Sequence, residues 1–466
     1  MLFTSFVFLF VFLPVVLVGW WTLRRPLWRF AWLTLASYFF YAWWDWRFLP
    51  LLWLPTINDF LAGRAIAGSS DPRYRKFRLV LALCIDLTSF GIFKYSGFFL
   101  DSLNGIGSLV GLKSAFPGIE IVLPIGISFY TFNSMSYSID VYRGRVPPTR
   151  SILRYACFLS MFPHLIAGPI VRYEDITWQL DRLERRLTAG LAAAGLFFLA
   201  CGLGKKLLIA DTLAPRVTEL FAAHRHLELA GGWLAALTFA LQLYFDFSGY
   251  SDMAVGLALL LGFRFPQNFD SPYKAVNISD FWRRWHMSLS FWFRDYLFIP
   301  LGGSRRGQAR TLFNLLLTMF LAGLWHGAAW TYALWGLLHG GYLAGHAVLR
   351  DARLTPRWTW LNRAITFVCV LWAWVLFRAA SLGEAVDVWK AMLGLRGVEA
   401  PQRVVHTFGA SMLVFVAALL VFVNVAPNSW ELKPRPLLRY GLAFGLIAGA
   451  AILTITRPSP FLYFQF

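Results

Sequence analysis

Long apolar runs, each closed by arginine, proline or glycine, recur from one end of the chain to the other. They fall at about 2–22, 30–49, 51–66, 79–100, 119–140, 152–170, 188–210, 232–262, 311–325, 328–349, 364–380, 405–426 and 440–456, most of them near the ~20 residues a helix needs to cross a bilayer. The pattern predicts an all-α polytopic membrane protein with about 11–13 spanning and re-entrant helices. Two runs are interrupted, at Pro124-Ile-Gly126 and at Ala167-Gly168-Pro169. Broken helix survives at membrane depth only where its freed backbone groups face protein or a wet cavity, so re-entrant pieces are expected at both. With no internal repeat, low-complexity tract or long linker, one membrane domain over 1–466 is the simplest organisation.

Composition agrees. Of 466 residues, 58% are hydrophobic and only 14% charged, against about 25% in soluble domains, which excludes a soluble enzyme, a disordered chain and a disulfide scaffold. The net charge of +19 raises the question of nucleic acid. The basic residues, however, sit in short clusters between apolar runs, as retention of positive loops in the cytoplasm demands, so the expected partner is the lipid bilayer and not nucleic acid. Arg24, Arg25 and Arg29, the cluster Arg64 to Arg78, Arg143 to Arg154, the connection 264–310 and the segment 350–363 are expected inside. The charge-balanced 381–403, and the C-terminal SPFLYFQF, are expected outside. Arg24-Arg25 follows the first run and no A-x-A site is present, so that run reads as a retained span with an outside N-terminus. Cys84, Cys157, Cys201 and Cys369 show no metal-type spacing and read as small buried hydrophobes.

Ionisable groups inside apolar runs are costly and mark candidate sites. His326, in LWHGAAW, lies deep in a hairpin of two apolar runs, where a neutral core histidine is the alternative to a functional one. Gly323, Gly327, Ala328 and Gly336 are expected to leave space beside its imidazole. His286, in FWRRWHMSLS, stands in an aromatic and basic segment at the expected cytoplasmic edge. His339, followed by Gly340 and Gly341, reads as a helix-contact residue. Asp246 and Asp252 fit a proton relay, a cation site or a brace, and neighbouring Ser248, Tyr250 and Ser251 favour the brace. Asn268, Arg283 and Arg284 form a polar, cationic approach to His286 suited to phosphate, with ordinary positive-inside anchoring as the alternative for the arginines.

The strings FWRRWHMSLSFWFRDYLFIPLGG (281–303) and LWHGAAWTYALWGLLHG (324–340) resemble the membrane-bound O-acyltransferase superfamily in its alginate O-acetyltransferase branch. So do LPIGISFYTFNSMSYSIDVYRG (123–144), FPHLIAGPIVRYEDI (162–176), YFDFSGYSDMAVGLALLLGFRFPQNFDSPY (244–273) and SPFLYFQF (459–466), and the resemblance covers nearly the whole chain. It implies a helical bundle around a central tunnel, with the motif-bearing catalytic region at about 120–350. His326 matches the superfamily's essential histidine, and His286, 40 residues earlier, its second site.

The chemistry implied is acyl transfer from a thioester, acetyl-CoA, to a hydroxyl, with no tightly bound cofactor and no metal. His326 is the expected general base. His286 either orients a substrate or stabilises the developing oxyanion. Asn268, Arg283, Arg284, Trp325 and His339 are the candidates for donor or substrate binding.

The implied setting is a bacterial inner membrane, with donor and acceptor reaching His326 from opposite faces. Extracytoplasmic acetylesterase-fold proteins are the implied partners and an exopolysaccharide, alginate first, the implied acceptor. Cellulose, peptidoglycan and D-alanyl transfer are alternatives, although AGPIVRY (167–173) departs from the D-alanyl sister family. A transporter or an export scaffold is the non-enzymatic rival, against which stand the missing inverted repeat and the histidine-centred motifs.

Overall fold

No strand occurs among the described residues of the computed structural model, which are 1–109, 111, 121–184, 186–432, 438–455 and 462. Of SPFLYFQF only Leu462 is among them. The first two residues of the expected 119–140 run, and Lys433 and Arg435, lie outside them. By length and unbroken apolarity, Ala189–Ala222 and Thr359–Arg378 each suffice to cross a bilayer, and Pro401–Phe408 with Ala410–Val425, bent by 93°, make a broken third span. The other runs fold into helices that are shorter, or that bury polar groups against one another. Their outward surface is apolar: Phe10, Val18, Leu35, Val414 and Leu446 are all more than half exposed, a surface that calls for lipid as its solvent.

The chain packs as two units, 1–199 with 253–266, and 200–252 with 267–466. In the first, Pro26 and Pro72 open the helices Pro26–Asp45 and Pro72–Leu109, where a missing backbone donor costs nothing. Phe3, Phe8, Phe12, Phe40 and Phe162 form an aromatic core, with Phe3 and Phe8 at 4.9 Å and Phe12 and Phe162 at 5.4 Å between ring centroids. Polar residues of neighbouring helices satisfy each other in the interior: Ser138 donates to Asp59, and Asn58 and Ser134 donate to Asp86 at 3.1 and 3.3 Å. The expected 152–170 run is cut into Ile152–Ser160 and Phe162–Leu165. Both sequence interruptions are real breaks and they meet. Gly126 has φ +81°, and a Cβ there would stand 2.6 Å from the Leu165 carbonyl oxygen, so only glycine lets the two backbones touch.

In the second unit, Gln308–His326 and Trp330–Asp351 form a tight antiparallel hairpin. Here the expectation about space fails. A Cβ on Gly323 would lie 2.2 Å from the Tyr332 carbonyl oxygen, one on Gly336 2.2 Å from that of Met319, and one on Gly327 2.1 Å from the Tyr332 ring. Gly323 and Gly336 bring two backbones together, as small residues do in membrane helix pairs, and Gly327 is covered by the Tyr332 ring, so none of the three leaves open space at its own position. Gly340 serves the same packing, 3.0 Å from Leu316 Cα, whereas Gly341 faces open space. The connection 264–310 also differs from an exposed loop: it folds into Ile278–Arg284, Met287–Phe293 and a π turn, Arg294–Phe298. Arg283 and Arg294 stay outside while Phe281, Trp285, His286 and Leu289 are buried, because the segment alternates charge with large apolar rings.

Candidate active site

His326 is the last residue of its helix. Gly327 continues in extended backbone and Ala329 starts the next helix, so the WHGAAW turn holds the imidazole at the closed end of the hairpin. The ring is buried among Trp325, Trp335 and Phe377, at centroid distances of 5.0, 5.2 and 5.2 Å.

His286 arrives from the other side of the motif region. Asn277 caps Ile278–Arg284, its side chain accepting from the Asp280 amide at 2.8 Å, and that helix stops at Trp285. His286 then takes the left-handed conformation, φ 42° and ψ 54°, and Met287–Phe293 begins. For a residue other than glycine this costs about 1–2 kcal/mol, and such outliers persist only where the surroundings hold them. Asn268 does the holding. Its Oδ1 accepts from Ser288 Oγ at 2.8 Å and from the Ser288 amide at 3.3 Å, and lies 3.1 Å from His286 Nδ1. Its Nδ2 donates to Ser251 Oγ at 3.0 Å, and its carbonyl accepts the Met287 amide at 2.9 Å.

The backbone donor on Ser288 fixes the asparagine's orientation, so the atom facing His286 is an acceptor and Nδ1 carries the proton. In the neutral ring Nε2 then holds the lone pair, and this buried atom has no hydrogen-bond partner among the described residues. Phe247 packs edge-on against the ring at 4.6 Å. The His286 and His326 centroids are 6.3 Å apart, near enough for one small group to touch both imidazoles. His286 is completely buried within the protein, although its neighbour Arg283 is exposed. Ser288, which completes its support, carries no signal of its own in an aromatic segment, and Ser251, expected to brace the carboxylates, instead meets Asn268.

The remaining candidates separate. Trp325 touches both histidines, with its ring 6.1 Å from His286. His339 is buried in an aromatic cage of Trp335, Trp282 and Phe281, and its Nδ1 accepts from Trp282 Nε1 at 3.3 Å. Arg284 is committed to Asp280 at 3.0 Å and Asp270 at 3.4 Å, whereas Arg283 is exposed. Asp246 binds Lys206 at 2.6 Å, which also binds Asp211 at 2.7 Å; Asp252 binds Lys205 at 2.6 Å and accepts from Ser429 at 3.0 Å. The two lysines, visible in the apolar run as GLGKKLLIA (202–210), were passed over in favour of nearer hydroxyls.

Two buried imidazoles, one with a fixed tautomer, thus stand together at a helix break among aromatic rings. The chain belongs to the membrane-bound O-acyltransferase family, whose model matches residues 119–383; it is a membrane protein and an O-acyltransferase. It is 40% identical over its whole length to all of a probable alginate O-acetylase AlgI from Pseudomonas putida. It is 47% identical to the Pseudomonas aeruginosa protein of that name over 84% of this chain and 75% of the relative. It is also 40% identical to a peptidoglycan O-acetyltransferase from Helicobacter pylori over 85% of this chain and 81% of the relative.

Proposed function

We propose that this enzyme transfers an acetyl group from a cytoplasmic thioester, acetyl-CoA, to a hydroxyl on the route to an exopolysaccharide, with alginate as the polymer. The observation that carries this reading is the burial of His286 and His326 at 6.3 Å in the two motifs. His326 takes the proton of the attacking hydroxyl as its oxygen bonds to the thioester carbonyl. The tetrahedral intermediate then collapses with loss of the thiolate, which recovers the proton from the imidazolium, so atoms and charge balance. His286, with Nε2 unengaged, points a second ring nitrogen at the same group; Asn268 is a positioning residue, since both ends of its amide are taken up by protein. Arg283 remains as a cation for the donor's phosphates.

The names of the relatives support a polysaccharide acceptor, and two of the three cited point to alginate. The peptidoglycan enzyme keeps a second acceptor in view. A bacterial inner membrane with an extracytoplasmic acetylesterase-fold partner suits a donor that cannot cross the bilayer and an acceptor beyond it.

The test is acetyl transfer from labelled acetyl-CoA by purified protein in lipid. His326→Ala is expected to lose at least about 100-fold, the lower range for a positioned acid–base group, with insertion and thermal stability preserved. Retention of more than about a tenth of the activity would remove the general-base role.

A further inference from the structure

A cavity of about 680 Å³ lies on the far side of the His339 cage, where the end of Trp330–Asp351 faces the start of Thr359–Arg378. Tyr342 forms part of its wall and touches His339 at 5.8 Å between rings. The proposed transfer chemistry does not use this space.

Its two ends differ in chemistry. The inner end is apolar, running past Ile365 and Cys369, and its floor holds Gly341 and Gly345. A Cβ on either would meet nothing within 4 Å, in contrast to Gly336 and Gly340 a turn earlier. Glycine is unfavourable inside a helix; packing accounts for the earlier pair, and the later pair leaves a furrow.

The outer end is cationic. His346, its Nδ1 3.3 Å from Ser279 Oγ, and Arg350 line it. Arg350 meets Asp351 at 2.9 Å, an exposed pair of little strength. Among the described residues Arg283, Arg353, Arg357 and Arg363 have no carboxylate partner. Trp358 and Trp360, 64% and 68% exposed, stack on each other shortly after Pro356 of the cavity lining, and exposed tryptophans are enriched where proteins meet lipid headgroups.

We infer that this groove binds one anionic phospholipid. Its phosphate lies against Arg350 and His346, and an acyl chain lies in the furrow over Gly345 and Gly341. A basic mouth opening on an apolar slot between two helices matches that amphiphile in both charge and shape. The inference goes beyond the acetyl-transfer reading and is read out by binding, so either can fail without the other.

The test uses the full chain in an uncharged detergent, with phosphatidylglycerol or phosphatidylcholine added, followed by native mass spectrometry and thermal shift. One phosphatidylglycerol is expected to bind saturably, about fivefold more tightly than phosphatidylcholine at low salt, the order expected from one arginine at a lipid headgroup. The preference should fade as salt rises. Arg350→Gln with His346→Gln should abolish it, and Gly345→Leu should block the lipid while leaving thermal stability in detergent alone unchanged. Equal affinity for the two lipids overturns the inference, and that comparison needs only the wild-type protein. Binding undisturbed by Gly345→Leu overturns it too, as does displacement of the lipid by free coenzyme A or inorganic phosphate, which would give the mouth to a soluble phosphate compound.

Discussion

Asn268→Ala tests whether an asparagine that need touch no substrate controls the rate. The side chain receives three contacts at Oδ1, from Ser288 Oγ, the Ser288 amide and His286 Nδ1, and donates one from Nδ2 to Ser251. Truncation leaves the Ser288 amide and His286 Nδ1 buried and unanswered, at about 1–3 kcal/mol each, so a loss of roughly 2–5 kcal/mol in stability is expected. The larger consequence is for His286. Without the acceptor at 3.1 Å its tautomer is no longer fixed and its left-handed turn loses its anchor. A misplacement of about 1 Å is enough for a 100-fold fall in kcat, with KM for the donor nearly unchanged. Asn268→Asp keeps every acceptor contact and gives up only the bond to Ser251, so it should retain activity within about tenfold of wild type. Kinetics with labelled acetyl-CoA, alongside thermal unfolding in the same detergent, separate the two effects. A stable Asn268→Ala enzyme with wild-type kcat would refute the positioning role.

Gly336→Val forces a Cβ toward a point 2.2 Å from the Met319 carbonyl oxygen and should cost about 3 kcal/mol or prevent folding. Gly91→Ala, where nothing lies within 4 Å, should be neutral or slightly stabilising; thermal shift on the two proteins checks both. Lys206→Met strips the cation from Asp246 and Asp211 and should destabilise by about 3–5 kcal/mol, as breaking a buried pair does. Adding Asp246→Leu should recover part of that loss in the same assay. Asp387 is nudged upward by partial burial, but the His224 hydrogen bond at 2.8 Å and the Arg396 guanidinium outweigh this and hold its carboxyl below the ordinary value. Its contribution is therefore present above about pH 4 and is lost as pH falls through the lowered value. The melting-temperature gap between wild type and Asp387→Asn should close on acidification below about pH 4, as the carboxylate takes up its proton.

Helix content and membrane character were legible because apolar runs and arginine clusters act locally. The two interruptions were legible for the same reason, since Pro124 and Gly168 break a helix whatever surrounds them. Partnership was not legible. Gly323 and Gly336 look alike whether they open a cavity or seal a helix pair, and only the Tyr332 and Met319 carbonyls opposite them decide. The burial of His286 was not legible, because its arginine neighbours suggest a surface while Phe281, Trp285 and Leu289 turn the same segment inward. Asp246 and Asp252 were noticed as costly. Their lysines stand some 40 residues earlier, and nothing in the local pattern links the two.

The two lysine pairs fix more than charge. Adjacent residues on an α-helix diverge by about 100°, yet Lys205 and Lys206, within the π turn Gly204–Ala210, both reach carboxylates of Leu229–Leu260. Those carboxylates, six positions apart, leave their helix in different directions, so the lysines grip it from two sides and set its angle about its own axis. Phe247 and Ser251 lie between them and carry that angle to His286 and Asn268. A roll of about 20° would move a side-chain atom ~5 Å from the axis by nearly 2 Å, enough to undo the bond from Asn268 to Ser251. One residue inserted between 246 and 252 would swing the far carboxylate by about 100° and free the helix to turn. The spacing of these two acids is thus a rotational lock, and the aim of an imidazole that neither acid touches is set by it.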